Sequence, residues 1–124
     1  MLKFYHCEKC DNFVVLLNEP KSSACCDSSM KEIIPGSVDA SKEKHVPVIK
    51  ADGSQVKVHV GSVDHPMEEK HYIEFIILET NQGFQKKDLK PGDAPEAAFA
   101  LTEGEKVLRA YAYCNLHGMW VAEA

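Results

Sequence analysis

Four of the five cysteines in this chain lie within its first 26 residues, and they constrain its fold more than any other feature. After them, Ile33 and Ile34 are followed by Pro35-Gly36-Ser37, a turn-rich break typical of a domain boundary. A segment of about 35 residues buries too little apolar surface to fold unaided, and domains of this size depend on a metal or on disulfides. The sequence therefore predicts a small metal-stapled N-terminal domain over residues 1–35 and a second domain over residues 36–124.

The spacing of these cysteines predicts one metal site. Cys7 and Cys10 form a C-x2-C pair, which lets two thiolates approach one metal from a tight turn, and Cys25-Cys26 supplies the other pair. Four thiolates complete a tetrahedral shell, so the site can carry electrons or hold the fold together but cannot bind a substrate. A zinc staple is the main alternative, and unligated thiols are a further one. Ligands on adjacent residues require an unusual backbone, unlike the repeated C-x2-C of zinc ribbons, and this favours iron.

Composition narrows the class of protein. The N-terminal residues contain neither the apolar stretch nor the cleavage site of an export signal, so we expect a cytoplasmic protein whose clustered cysteines bind metal. The longest apolar runs, such as residues 75–78, are too short to cross a bilayer. The net charge of −5 and the lack of a long basic run argue against binding to nucleic acid. We therefore expect neither a membrane nor a nucleic acid as a partner.

Beyond residue 45 the sequence is β-like. In residues 56–60 valines alternate with Lys57 and His59, which predicts a half-buried strand with His59 facing solvent. Asp52-Gly53 predicts the tight turn of a hairpin. Further strands are expected at 46–49, 72–79, 97–101 and 106–113, and no long amphipathic helix is indicated. The pattern predicts an all-β fold, in which an immunoglobulin-like antiparallel β-sandwich follows the N-terminal domain.

A second set of potential ligands lies near strand ends and loops: His45, His65, His71, Cys114 and His117. The Cys114-x2-His117 spacing can turn both donors onto one metal, and Gly118 suits a tight turn there. For Trp120, just beyond, packing in the core is the favoured prediction and a wall of the site is the alternative. Any one of the other histidines would be a weak signal alone. Together, four imidazoles and one thiolate exceed the four ligands of structural zinc, which favours a redox metal such as iron with an open position.

Three segments resemble those of superoxide reductases. They read Glu-Lys-His-Val-Pro at 43–47, His-Pro-Met-Glu-Glu-Lys-His-Tyr-Ile at 65–73 and Cys-Asn-Leu-His-Gly-Met-Trp at 114–120. The four-cysteine segment also resembles a desulforedoxin-like domain, so nearly the whole chain is similar to the two-iron class, the desulfoferrodoxins. The loop between Cys10 and Cys25 is slightly shorter than the usual form, and Asp-Ser-Ser-Met at 27–30 replaces a more usual Gly-Glu-Pro-Met.

The resemblance implies an activity and its cofactors. The expected reaction is the one-electron reduction of superoxide to hydrogen peroxide, with electrons from a small donor such as rubredoxin. It implies two irons per chain, the first held by the four cysteines. The second would be square-pyramidal, with four histidines in the plane and Cys114 on the axis, where a thiolate donates electron density to the metal. Family members of this class are commonly homodimers, so a homodimer is expected.

The resemblance also points to two residues beside His45. Superoxide is an anion and the chain is net negative, so a local positive charge is needed at the site, and Lys44 is the candidate, with Lys42 assisting. Glu43 is implied to occupy the open position once the iron is oxidised. Without the resemblance, both would be read as solvated turn residues. Two alternative functions stay open: a non-enzymatic electron carrier, which needs the first centre alone, and a structural zinc protein that acts as an interaction module.

Overall fold

A computed structural model of the chain describes residues 1–18, 24–26 and 28–124. It divides into two compact units, Met1–Ile34 and Pro35–Ala124, and the division lies beside the turn-rich stretch that begins at Pro35. Residues 19–23 of the loop between Cys10 and Cys25, and Asp27, fall outside the described residues. No helix within the described part of the chain has the length and apolar character needed to cross a bilayer.

The first unit is built around a three-stranded antiparallel sheet. Its central strand β1 (Lys3–His6) pairs with β2 (Phe13–Leu16) on one side and with the later strand β5 (Lys31–Ile33) on the other. Two short strands, β3 (Ala24–Cys25) and β4 (Ser28–Ser29), form a separate ladder. Strands of three or four residues offer little apolar surface to bury, which agrees with the need for a metal staple.

The second unit is an antiparallel β-sandwich, as predicted. After the short helix α1 (Lys42–His45) come seven strands: β6 (Pro47–Asp52), β7 (Gln55–Val60), β8 (Ile73–Thr80), β9 (Gly83–Asp88), β10 (Glu96–Ala100), β11 (Val107–Cys114) and β12 (Gly118–Glu123). One sheet has the order β10-β7-β6 and the other β12-β11-β8-β9. The chain forms three hairpins, β6–β7, β8–β9 and β11–β12, and the connections between them cross from one sheet to the other, as in immunoglobulin-like folds.

Alternating burial places the core between these sheets. Along β7, Val56, Val58 and Val60 are buried whereas Lys57 is exposed. They join a cluster that includes Phe99 of β10 and apolar side chains of β8 and β11. Each fully buried valine contributes roughly 1.5 kcal/mol or more to folding. This strand register is the one that the sequence pattern predicts, with the apolar face of β7 inward. A slip by one residue would turn that whole face outward.

The two ends of the sandwich differ in the residues that their loops carry. Asp52 pairs with Gln55, so Gly53 and Ser54 form a two-residue hairpin loop, and the φ of +61° at Gly53 suits such a turn. This confirms the predicted turn. At the other end of the sandwich, β11 finishes at Cys114, whose side chain is fully buried in the core cluster. The loops at that end carry the candidate ligands.

Candidate metal centres

The four N-terminal cysteines come together in the first unit. Their sulfur atoms all lie within 4.8 Å of one another, and none of the chain's cysteines is in a disulfide. The Cys10 and Cys25 sulfurs are 3.5 Å apart, and those of Cys25 and Cys26 are 3.8 Å apart. Cys26 has a φ of +54°, a left-handed conformation that non-glycine residues rarely adopt. The unusual backbone expected for adjacent ligands is therefore present.

The surroundings of these thiols suit a cation. Hydrogen bonds from the backbone of Cys10, and then of Lys9, lower the pKa of Cys7 to about 7. Hydrogen bonds with the side chains of Cys10 and Cys25 raise the pKa of Cys26 to about 12. Four clustered thiols cannot all ionise without a positive charge among them, whereas a bound metal ion stabilises all four thiolates. The donor set completes a tetrahedral shell, so the centre has no position for a substrate.

The second unit brings another set of donors together at one end of the sandwich. Ligand atoms of His45, His65, His71 and Cys114 all lie within 4.8 Å of one another. His117 joins them, since its Nδ1 is 3.0 Å from Nε2 of His45 and 3.8 Å from the sulfur of Cys114. Each donor comes from a different place in the fold: the end of α1, the loop after β7, the bridge before β8, the end of β11 and the β11–β12 turn.

The four imidazole rings form a square. Neighbouring rings stand nearly perpendicular, with centroids 4.7 to 5.1 Å apart, in the cyclic order His45, His65, His71, His117. Across the square, the centroids of His45 and His71 are 6.5 Å apart. Cys114 belongs to the core cluster, so its sulfur approaches from the interior. Four nitrogens in a ring and one interior sulfur are the donors of a five-coordinate site.

Hydrogen bonds on the far side of two rings fix which nitrogen faces inward. Nδ1 of His45 is 2.6 Å from the Ser41 carbonyl oxygen, and Nδ1 of His65 is 2.6 Å from that of Pro66. A carbonyl oxygen only accepts, so Nδ1 carries the hydrogen and donates it, and the lone pair of Nε2 points into the site. These two Nε2 atoms are 3.3 Å apart, close to the spacing of adjacent ligands around a metal at about 2.1 Å.

One atom tests whether a metal fits. Nε2 of His71 is buried and has no hydrogen-bond partner within the described residues. Leaving such a group unsatisfied costs roughly 1–3 kcal/mol, so buried imidazole nitrogens normally have a partner. A ring nitrogen of His71 lies within 4.8 Å of the ligand atoms of His45, His65 and Cys114, and a metal ion at their centre would supply a partner there. Imidazole and thiolate donors suit iron, so the residues present fit the metal.

Burial keeps three of the four histidines in the neutral form that binds metal. Burial lowers the pKa of His45, His71 and His65, the last to about 4. Burial raises the pKa of Cys114, while hydrogen bonds from the backbone of Leu116 and His117 oppose that rise. Neutral imidazoles at pH 7 leave their lone pairs available, and the two N–H groups prepare the sulfur for the thiolate form.

Trp120 contacts the site directly, which was the less favoured of its two predicted roles. Its side chain is buried, as predicted, but its ring lies 5.0 Å from that of His45. Its Nε1 also donates a hydrogen bond of 3.0 Å to the carbonyl oxygen of His117. Trp120 therefore both packs in the interior and forms a wall of the site.

Lys44 and Glu43 lie on α1 and are both exposed. Burial is the main cause of the lowered pKa of His45 and of His71, and the positive charge of Lys44 is a smaller one. Lys44 therefore acts on two histidines that lie across the square from each other. The Glu43 carbonyl oxygen accepts hydrogen bonds from Val63 N and Ser62 Oγ at 2.9 and 3.3 Å. The loop after β7 thus holds α1 in place.

His59, expected to face solvent, is half-buried instead. Its Nδ1 lies 2.9 Å from the Gly61 carbonyl oxygen, and its Nε2 lies 3.1 Å from the Asp64 carboxylate. It is outside the square of imidazoles and braces the same loop after β7.

Known proteins were compared with the chain. A profile of the family described as Desulfoferrodoxin matches residues 37–123. The desulfoferrodoxin of Nitratidesulfovibrio vulgaris is 50% identical over 123 residues, which cover 98% of this chain and 96% of that protein. The chain belongs to the desulfoferrodoxin family. The desulfoferrodoxin of Desulfarculus baarsii is likewise 50% identical over 123 residues, with the same coverage.

Solved structures of the family agree. The superoxide reductase from Treponema pallidum matches with a TM-score of 0.87 and 43% identity, over 99% of each chain. The superoxide reductase (1Fe-SOR) from Giardia intestinalis matches with a TM-score of 0.57 and 38% identity, over 67% of this chain and 98% of its own. The chain is thus an enzyme of the desulfoferrodoxin family, and its two groups of ligands fit two irons per chain.

Proposed function

We propose that this chain is a superoxide reductase, which combines superoxide with one electron and two protons to give hydrogen peroxide. The observation that carries the proposal is the square of four imidazoles over the interior thiol of Cys114, in which Nε2 of His71 has no partner among the described residues. His45, His65, His71, His117 and Cys114 would hold the iron. When bound there as ferrous iron, it supplies the electron and an open coordination position.

The protein's own residues prepare this reaction. The carbonyl oxygens of Ser41 and Pro66 hold two imidazoles in the plane. Cys114 donates electron density from the interior side, and burial keeps water away from its sulfur. Lys44 attracts superoxide to the site, and Glu43, on the same helix, would supply a carboxylate ligand to the oxidised iron. Superoxide would therefore approach from the exposed side, where Lys44 and Glu43 lie, rather than from the buried side of Cys114.

The four-cysteine centre has a different role in this proposal. Its shell is complete, so it passes electrons or holds the first unit together. Residues 1–35 would be a desulforedoxin-like domain and residues 36–124 the superoxide reductase domain, which the two compact units support. The electron donor would be a small protein such as rubredoxin. A homodimeric state and a cytoplasmic location stay predictions from the sequence.

Stopped-flow mixing tests the activity. The reduced protein, loaded with iron, should consume superoxide and form hydrogen peroxide in proportion to the ferrous second centre, without releasing oxygen. The zinc-loaded protein, which cannot supply an electron, is the control and should leave superoxide to decay at its spontaneous rate. Oxygen release alongside peroxide would mean dismutation and would overturn the proposal.

Lys44→Ala tests the attraction of superoxide. We expect the bimolecular rate constant to fall roughly threefold to tenfold at low ionic strength, and to depend less on salt, because a steering charge is lost. Lys106→Ala removes the same charge at the opposite end of β11, about 25 Å from Cys114, and should change the rate little. Equal rates for Lys44→Ala and the unmodified chain at low salt would exclude this role.

A further inference from the structure

The imidazole of His71 is held differently from those of His45 and His65. His45 and His65 each have a carbonyl oxygen paired with the outer ring nitrogen, and Trp120 bonds to the backbone of His117. The ring of His71 shows no such partner within the described residues, and its Nε2 is buried without one. The hydrogen bonds that hold His71 are therefore those of its own backbone and of the peptide groups beside it.

That backbone is held from two sides. On one side, Glu68 and His71 exchange two backbone hydrogen bonds, of 2.9 and 3.0 Å. On the other, the side-chain amide of Asn115 reaches both neighbours of His71. Its Oδ1 accepts from Tyr72 N at 3.0 Å, and its Nδ2 donates to the Lys70 carbonyl oxygen at 3.0 Å.

Asn115 itself lies in the turn that supplies two other ligands. It directly follows Cys114 and precedes His117 by two positions, and its backbone N donates to the Tyr72 carbonyl oxygen at 3.2 Å. Its side-chain amide places a donor nitrogen and an acceptor oxygen in one plane, which matches the Lys70 C=O and the Tyr72 N–H on either side of His71. A carboxylate could not donate, and an alkyl side chain could make neither bond.

We infer that Asn115 is a positioning residue that sets the direction of the His71 imidazole and fixes its position relative to Cys114 and His117. This inference rests on the metal site proposed above. Asn115 touches neither the metal nor the substrate. It acts by holding the peptide groups on both sides of His71 against the turn that carries the other two ligands. Groups that hydrogen-bond directly to a metal ligand typically change metal affinity by 10- to 100-fold, and Asn115, which acts one step further out through the peptide groups of Lys70 and Tyr72, is expected to reach the lower end of that range.

The test is Co²⁺ binding by the full-length, metal-free chain, with the four-cysteine centre as an internal reference. Asn115→Leu keeps the volume of the side chain but makes neither hydrogen bond, and Asn115→Ala serves as a second variant. We expect the Co²⁺ affinity of the second centre to fall at least about tenfold in both. The absorption of the bound Co²⁺ should also change as the His71 ligand turns away. The affinity of the first centre should stay the same.

Asn81→Ala is the matched control. Asn81 Oδ1 accepts a hydrogen bond of 2.9 Å from Lys106 N, a contact of the same kind at the other end of β8. Its loss should affect thermal unfolding about as much as the loss of Asn115 while leaving Co²⁺ affinity unchanged. Equal losses of affinity in Asn81→Ala and Asn115→Leu would show a general effect of stability and overturn the inference.

A double-mutant cycle with His71→Ala tests whether Asn115 acts on metal binding through His71. If Asn115 acts through His71, then Asn115→Leu should cause no further loss of Co²⁺ affinity once His71 is replaced. Multiplicative losses in the double variant would refute the assignment. Because Co²⁺ binding involves no superoxide, this result is separate from the activity. A chain that binds Co²⁺ as expected but does not reduce superoxide would defeat the proposed function and leave the role of Asn115 intact.

Discussion

Replacing Cys114 by serine is expected to remove the thiolate from the second centre and to slow superoxide reduction by at least about a hundredfold. A serine hydroxyl stays protonated at neutral pH, so it is a poor metal ligand and donates little electron density. Cys114 is fully buried, so the new hydroxyl must also find a partner in the core cluster. The thiolate-to-iron absorption of the second centre and its iron content are the measurements.

The four-cysteine centre is the control within the same molecule. Its iron and its absorption should be unchanged in Cys114→Ser, because all four of its ligands remain. Two visible features should be present in the unmodified chain and only one in the variant. A Cys114→Ser protein that retained both absorption features and its rate would show that the sulfur is not a ligand.

Gly61→Ala is expected to destabilise the second unit by roughly 2–4 kcal/mol. Gly61 has a φ of +87°, and a Cβ there would clash with the Val63 carbonyl oxygen and lie 2.7 Å from that of Glu43 and 2.9 Å from the carbonyl carbon of Lys44. All three atoms are backbone, so no side-chain rotation relieves the contact. The loop after β7 and α1 must move apart, and α1 carries His45.

Gly53→Ala separates steric contact from backbone conformation. Gly53 has a φ of +61°, but nothing lies within 4 Å of a Cβ at that position. Its replacement should therefore cost only the left-handed conformation, about 1–2 kcal/mol. Denaturant unfolding followed by the fluorescence of Trp120, the single tryptophan, reports on the second unit. Equal losses of stability in the two variants would contradict the close approach of α1.

The same contact predicts a functional effect of Gly61→Ala. Displacement of α1 moves His45 away from His65 and His117, whose ring nitrogens are now 3.3 and 3.0 Å from its Nε2. We expect weaker metal binding at the second centre in Gly61→Ala, whereas Gly53→Ala should bind normally.

The strands that bury a continuous apolar face could be predicted from the sequence. β7 alternates cleanly and β8 is a nearly continuous apolar run, and both lie where the pattern indicated. β9 (Gly83–Asp88) was missed because five of its six residues are exposed, so an edge strand of polar residues has no apolar period. β12 was missed because its residues were read as part of the ligand motif. β1, β2 and β5 are too short for a pattern to stand out.

The ligand sets could be predicted from the sequence because closely spaced cysteines and grouped histidines are typical of metal sites. The structure brings all nine predicted ligands into two groups, five of them around the second centre. The residues that support the ligands could not be predicted from the sequence. Asn115 and Gly61 act through atoms distant in sequence, near His71 and Glu43, and only the packed loops reveal those contacts. Asparagine and glycine are also ordinary turn residues, so their types gave no signal.

The most direct test of the central claim, that the chemistry belongs to the second centre alone, is stopped-flow reaction of superoxide with reduced Cys26→Ser protein. That substitution removes one of the four thiolates of the first centre and leaves His45, His65, His71, His117 and Cys114 in place. The account predicts loss of the first centre's absorption, with a bimolecular rate constant within about twofold of the unmodified chain and an undiminished peroxide yield from each ferrous second centre. A rate that falls together with the first centre, while the second centre retains its iron, would contradict it.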